Sequence, residues 1–148
     1  MQAIMPECYN TDMTQTAGFY EIEHTADWAL TVYAPDLTGL LEQAARGMSI
    51  LSGTTLQPGP RGVQELTIVG YDPEHLLVKF LTEILHFEQE HYLGFDAYDL
   101  TLDGLTLTAR LASAPIEAQQ KEIKAVTYHN LQIQPTPHGL ETTIVFDV

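Results

Sequence analysis

The segment that follows Asp72 constrains the fold most, because it predicts a long amphipathic helix with a defined beginning. Asp72 is a favourable N-cap, Pro73 suits the first helical position, and Glu74 interacts favourably with the positive end of the helix dipole. Six apolar residues then recur at helical spacing and form a buried face: Leu76, Leu77, Phe80, Leu81, Ile84 and Leu85. This helix is expected to end near Gly94.

A second amphipathic helix is predicted earlier in the chain. Apolar residues from Leu37 to Met48 fall on one stripe, Asp36 is the expected N-cap, and Gly53 lies just beyond the end. Alternation of polar and apolar residues, bounded by turn residues, predicts strands elsewhere, at 19–23, 28–33, 63–70, 95–102, 105–111, 121–134 and 140–148. The pair Asp103-Gly104 predicts a hairpin. The expected fold is an α+β domain, with two helices packed on a mixed or antiparallel sheet.

Composition limits the classes of partner and compartment. The chain has 148 residues with a net charge of −14, so it is expected to be one domain that does not bind RNA or DNA tightly by itself. It contains one cysteine, Cys8, which excludes a disulfide framework. There is no apolar run of the roughly 18 residues that a membrane helix needs, so we expect a cytoplasmic protein. Residues 1–17 are expected to be a flexible leader before a domain at 18–148.

Common catalytic motifs are absent from the sequence. There is no Gly-rich phosphate loop and no G-x-S-x-G nucleophile turn. His86 and His91 are five residues apart, about 140° around a helix, so they do not match the four-residue spacing of zinc proteases. We therefore interpret that segment as a solvated helix end.

Two polar positions at the borders of apolar strands are unusual. The first is the segment from His24 to Asp27, and the second is Asp147, which follows the apolar run from Ile144 to Phe146. A carboxylate at the border of a core needs a cation, several N–H donors or solvent. The residues alone leave open whether these carboxylates bind a ligand or only cap a turn and meet water.

Three blocks together resemble the archease family. They are Phe19-Tyr20-Glu21-Ile22-Glu23-His24-Thr25-Ala26-Asp27, then Lys124-Ala125-Val126-Thr127-Tyr128-His129, then the terminal Phe146-Asp147-Val148. The resemblance extends from about Gly18 to Val148. One departure is Trp28-Ala29, where the family often has a small apolar residue and a glycine.

The resemblance implies an accessory protein that is not itself an enzyme. Archeases activate the RtcB-type RNA ligase in tRNA splicing and RNA repair, by promoting its guanylylation and multiple turnover. The family metal site corresponds here to Asp27, Asp147 and Val148, whose terminal carboxylate is expected to add charge. These oxygen ligands favour Ca²⁺, or else Mg²⁺ or another hard cation, over zinc. His24 and Lys124 are expected to contact the partner, and Lys121 lies close to Lys124 in the sequence.

Two other function classes remain open at this stage. One is a metal-dependent hydrolase that uses Asp27 and Asp147, although no base is firmly predicted beside them. The other is a general chaperone, which only the acidic composition favours.

Overall fold

The structure is a computed structural model that describes residues 16–22 and 28–148. The predicted leader, residues 1–17, therefore lies almost entirely outside the described residues. In chain order the described elements are β1 (Gly18–Ile22), β2 (Trp28–Ala34), α1 (Leu37–Leu51), β3 (Thr55–Leu56), β4 (Gly62–Val69), α2 (Pro73–His91), β5 (Leu93–Asp103), β6 (Thr106–Ala118), β7 (Ala125–Val126), β8 (Gln134–Thr136) and β9 (Gly139–Asp147).

Both helices begin where the sequence predicts. The carboxylate of Asp36 accepts a hydrogen bond from the backbone N–H of Gly39 at 2.8 Å, and that of Asp72 accepts one from His75 at 2.7 Å. These bonds satisfy backbone donors that a helix leaves unpaired in its first turn. Helix α2 ends at His91, because Tyr92 adopts the left-handed conformation with φ 54°. The predicted apolar face of α2 is buried, as expected.

The first sheet joins the two ends of the described chain. Its strand order is β1-β2-β9-β7, with β8 also paired to β9, and all its pairings are antiparallel. In the β2–β9 pair, Trp28 lies opposite Phe146 and Ala34 lies opposite Leu140. The terminal strand therefore lies beside the first strand pair.

The second sheet is built around the long strand β6. This strand pairs with β3 and β4 along one path and with β5 as a further partner, again antiparallel throughout. The predicted α+β fold is confirmed, although the strands divide between two sheets. The hairpin turn lies one residue later than predicted: Asp103 pairs with Thr106, so the turn residues are Gly104 and Leu105. Gly104 has φ 61°, which glycine adopts without strain.

The predicted strand at 121–134 is wrong. Only β7 and β8 pair with β9 in this region. Between them the chain turns, with the N–H of Leu131 bonded to the carbonyl of Tyr128 at 3.0 Å and Asn130 at φ 52°. The apolar residues of the loop, Leu131 and Ile133, pack against the core, so their alternation with polar residues reflects burial in a loop and not strand pairing.

One contiguous core joins both helices to both sheets. Its members come from β2, α1, β4, α2, β5, β6 and β9, together with Ile123. Within the described residues, no helix is long and apolar enough to cross a membrane.

Candidate functional site

At the end of strand β9, the surface carboxylate of Asp147 follows the buried ring of Phe146. Successive side chains of a strand point to opposite faces, so Phe146 and Asp147 diverge. Phe146 is fully buried in the core, whereas the side chain of Asp147 is exposed. Val148 is half-buried and packs against the core. The backbone of this strand end is thus held by the core, while the Asp147 carboxylate faces solvent.

The end of β9 lies beside the beginning of β2. Trp28, the first residue of β2, pairs with Phe146. The two residues predicted on the other side of this site, His24 and Asp27, lie outside the described residues. Whether the Asp27 and Asp147 carboxylates meet therefore stays a prediction.

A second segment runs along the other side of Asp147. The backbone N–H of Lys124 donates to the carbonyl oxygen of Asp147 at 2.8 Å, and Ala125 pairs with Asp147 in the β7–β9 ladder. The side chain of Lys124 is exposed. The structure therefore places Lys124, the first residue of the second block that resembles the archease family, beside Asp147.

Lys121 also belongs to this corner of the molecule. Its ammonium lies 5.4 Å from the centre of the Trp28 ring, a cation–π contact. The backbone N–H groups of Gln120 and Lys121 both bond to the carbonyl of Ser52, at 3.0 Å each. These bonds fix the segment before Lys124 to the end of α1. We refer to Trp28, Lys121, Lys124, Asp147 and Val148 as the terminal corner.

The donor chemistry of the terminal corner fits a hard cation. The three ion pairs formed within the described residues, Arg46–Glu42, Arg61–Asp96 and Arg110–Glu65, all lie elsewhere, so none neutralises Asp147. An exposed carboxylate without an ion pair remains able to ligate Ca²⁺ or Mg²⁺. The part of the chain that the structure describes holds no group of three His, Cys, Asp or Glu side chains arranged for a metal. A set of three such side chains at this corner would therefore require residues outside the described ones, of which Asp27 is the predicted ligand.

A half-buried carboxyl that the sequence did not predict lies at the far end of α2. Glu88 lines a cavity of about 360 Å³ together with Gln119 and Glu122. Burial raises the pKa of Glu88 to about 7, although the Gln119 amide, which donates to its carboxylate at 3.2 Å, acts in the opposite direction. Within the segment interpreted as a solvated helix end, His86, Gln89, Glu90 and His91 are exposed, whereas Glu88 is half-buried. A single acid inside a run of polar residues carries no sequence signal of burial.

The neighbouring Gln89 links α2 to the terminal corner. Its amide nitrogen donates to the carbonyl of Ile123 at 3.2 Å and lies 3.5 Å from that of Lys124. The Gln89 side chain thereby holds the backbone of Lys124 in place. The rings of His86 and His91, although five residues apart on the helix, meet edge to face with centroids 6.2 Å apart.

Comparison with known proteins identifies the class of protein to which this fold and site belong. Residues 19–148 match the profile of the Archease protein family (MTH1598/TM1083). Protein archease of Saccharolobus islandicus (strain M.14.25 / Kamchatka #1) is 31% identical over 137 residues, which cover 88% of this chain and 99% of that protein. Protein archease of Saccharolobus solfataricus is 31% identical over 136 residues, 88% of this chain and 98% of the relative.

Solved structures agree with this comparison. The crystal structure of an archease from Thermotoga maritima, described as a possible chaperone, superposes with a TM-score of 0.66 at 25% identity, over 86% of this chain and 94% of that one. The solution structure of Methanobacterium thermoautotrophicum protein 1598 shares the fold, with a TM-score of 0.64 at 22% identity over 88% of this chain and 99% of that one. The chain belongs to the archease family, as the resemblance of its three sequence blocks predicts.

Proposed function

We propose that this chain is a protein cofactor of an RtcB-type RNA ligase, acting in the cytoplasm in tRNA splicing and RNA repair. It would promote guanylylation of the ligase and allow multiple turnover, without being an enzyme itself. The observation that carries the proposal is membership of the archease family over residues 19–148.

The proposed contact contains a divalent cation, Ca²⁺ in preference to Mg²⁺. Asp27, Asp147 and an oxygen of Val148 would hold it. Support comes from the exposed Asp147 carboxylate beside Trp28, which forms no ion pair within residues 16–22 and 28–148, because Asp27 is bonded directly to Trp28. When bound, such an ion attracts anionic oxygens of a partner or nucleotide. The residues of the chain supply negative charge and a rigid strand end, and coordination positions left by three protein oxygens remain open to the partner.

Lys124 and His24 are proposed to contact the partner at the same corner. The backbone of Lys124 is held by Asp147 and by Gln89, so only its side chain is free to reach outward. An ammonium there would pair with a nucleotide phosphate or with a carboxylate of the partner. Lys121, whose ammonium is engaged by the Trp28 ring, is expected to contribute less.

The net charge of −14 favours a basic protein surface as the partner. We expect no direct tight binding of tRNA and no binding to membranes, because acidic surfaces repel phosphate groups. Attraction between opposite surface charges is screened by salt, so the association with the ligase should weaken as ionic strength rises.

The test is a gel assay of ligase guanylylation with the RNA ligase of the same host and a guanine nucleotide. Adding this chain at substoichiometric ratios should accelerate formation of the ligase–guanylate intermediate and permit repeated ligation. The Asp27→Asn variant is the control, and it should leave the ligase at its basal rate. An unchanged rate across all ratios would contradict the proposal.

Two further assays separate the competing function classes. Hydrolysis of nucleotides or phosphoesters by the chain alone, lost on chelation, would favour the hydrolase that uses Asp27 and Asp147. The description of the Thermotoga maritima relative as a possible chaperone makes the second assay necessary. Suppression of aggregation of unrelated unfolded proteins, with no effect on the ligase, would favour a chaperone.

A further inference from the structure

An exposed aromatic patch lies where α2 begins. It consists of Tyr71, His75 and Tyr128, and the two tyrosines are 76% and 52% exposed. Tyrosine at such exposure contributes little to a core, yet it offers a flat apolar face with low conformational entropy. The patch therefore calls for an explanation beyond folding.

The first half of the patch is held rigid before any partner arrives. The rings of Tyr71 and His75 stack with centroids 3.8 Å apart and an interplanar angle of 18°. The backbone N–H of Tyr71 also donates to Nδ1 of His75 at 3.2 Å. His75 is fixed in turn, because its own backbone N–H bonds to the Asp72 carboxylate. A preorganised surface loses less entropy when it binds.

Tyr128 is brought to the same place by the loop between β7 and β8. The Glu74 carboxylate accepts a hydrogen bond from the backbone N–H of Ile133 at 2.8 Å, which ties this loop to the first turn of α2. Partial burial raises the pKa of Tyr128, and nearby Tyr71 and Asp72 raise it further. The carbonyl of Tyr128 accepts a hydrogen bond from the N–H of Leu131 at 3.0 Å, two residues before Ile133, so the loop brings Tyr128 to the same end of α2 as Tyr71.

Charges around the patch favour a cation. Asp72 and Glu74 lie between Tyr71 and His75 in the sequence, at the N-cap and in the first turn of α2, and the neighbouring cation on α2, Lys79, directs its ammonium to the carbonyl of Val69 at 3.3 Å. Faces of aromatic rings attract cations, and arginine is the side chain that stacks on them most often. Nucleic-acid bases also stack on tyrosine, but these carboxylates and the net charge of −14 repel phosphates.

The patch is also close to the terminal corner. Tyr128 follows β7, whose Ala125 pairs with Asp147. Three residues of extended chain span about 10 Å, at roughly 3.3 Å per residue. One partner surface can therefore cover both the patch and the Asp147 carboxylate.

We propose that this aromatic patch is the docking surface for the basic protein partner, which places an arginine side chain against Tyr71 and Tyr128. The inference rests on the proposed function, because the partner in question is the RNA ligase. It adds the surface and the chemistry by which the ligase is held.

The test compares substitutions that keep or remove the aromatic face. The double variant Tyr71→Leu/Tyr128→Leu keeps apolar bulk but loses the rings, whereas Tyr71→Phe/Tyr128→Phe keeps the rings and loses only the hydroxyls. Affinity for the ligase is measured directly by calorimetry, and guanylylation is measured separately. We expect the Leu variant to bind roughly 5- to 30-fold more weakly and the Phe variant to bind within about 2-fold of the unmodified chain.

Val63 offers a control on the other sheet. It is 54% exposed at the beginning of β4, about 20 Å from the end of that strand at Val69 at roughly 3.3 Å per residue, and Tyr71 follows that end. Val63→Ala should leave the affinity for the ligase unchanged. An equal loss in the control would assign the effect to general surface hydrophobicity and overturn the proposal.

The two measurements separate failure of this proposal from failure of the proposed function. If the Leu variant activates the ligase and binds it as tightly as the unmodified chain does, the docking surface is wrong and the proposed function stands. The same conclusion follows if the Phe variant binds the ligase weakly. If binding depends on the aromatic rings but does not activate the ligase, the docking surface is correct and the proposed function is wrong. Absence of ligase binding by the unmodified chain, or ring-dependent binding of tRNA instead, would overturn the docking proposal.

Discussion

The backbone N–H of Lys124 donates a hydrogen bond to the carbonyl oxygen of Asp147 at 2.8 Å. Both side chains are exposed beside this bond, one basic and one acidic, and they form no ion pair with each other among the pairs formed within the described residues. The bond fixes the spacing of the two backbones while leaving both charged groups available. A site at an interface requires such an arrangement, because groups that already neutralise each other have little to offer a partner.

Removing either predicted metal-binding carboxylate should abolish activation of the ligase without unfolding the chain. Asp27→Asn and Asp147→Asn keep the side-chain volume and remove the charge that a hard cation requires. Surface substitutions usually change the free energy of unfolding by within about 0.5 kcal/mol, and we expect that here. Guanylylation assays and urea denaturation measure the two effects. Asp103→Asn, an exposed carboxylate at the end of β5, serves as the control and should retain activity. A large loss of stability in Asp147→Asn would instead assign that residue a structural role.

Binding of Ca²⁺ should be visible in the fluorescence of Trp28. This is the single tryptophan of the chain, and it lies opposite Phe146, next to Asp147 in the sequence. Ca²⁺ should change its emission, a chelator should reverse the change, and Asp147→Asn should eliminate it. A titration with Mg²⁺ under the same conditions tests the preference between the two ions. If neither ion alters the emission or releases heat in calorimetry, the proposed metal site is wrong.

Glu88 should make stability depend on pH. Its pKa is raised by burial from 4.5 to about 7, so the folded chain binds this proton more tightly than the unfolded chain does. The free energy of unfolding should therefore fall as the pH rises from about 4.5 through about 7, with a contribution on the order of 3 kcal/mol. Glu88→Gln removes this titration, so the variant should gain stability relative to the unmodified chain at pH 8 but not at pH 4.

Denaturation curves at the two pH values measure the effect. Glu90→Gln, an exposed position on the same helix, is the control and should not change the slope of stability against pH. An identical pH dependence in Glu88→Gln and the unmodified chain would show that Glu88 is ionised without penalty.

Gly139 should tolerate no side chain. Its φ of +139° is unfavourable for other residues, and an added Cβ would overlap the carbonyl oxygen of Ala34 and approach Cα of Pro35 to 2.6 Å. Gly59 has a similar φ of +125°, but an added Cβ there meets nothing within 4 Å. Gly59→Ala should therefore cost only the backbone strain, about 1 kcal/mol, whereas Gly139→Ala should cost at least twice as much. Thermal denaturation of both variants measures the difference, and equal losses would mean that the β8–β9 turn shifts to make room.

Local sequence determined both helices, because their signals involve neighbouring residues only. The carboxylates of Asp36 and Asp72 accept N–H groups three residues later in the chain, and the apolar stripes repeat within each helix. The strands around the Asp103-Gly104 turn were predicted for the same reason. The position of that turn was wrong by one residue, since the pairing of Asp103 with Thr106 depends on the register of two whole strands. The family, and through it the function we propose, also followed from the three sequence blocks.

Only the tertiary structure decided how these elements meet. The segment 121–134 alternates like a strand, but only Ala125, Val126 and Gln134 of it pair with β9. Between them the chain turns, and Leu131 and Ile133 pack against the core. The raised pKa of Glu88 likewise depends on burial beside residues that are distant in the sequence, among them Gln119, which follows β6. Sequence periodicity reports which side of an element is buried, since burial repeats with the turn of a helix or the pleat of a strand. It does not report which distant group lies opposite, because that follows from how helices and sheets pack together.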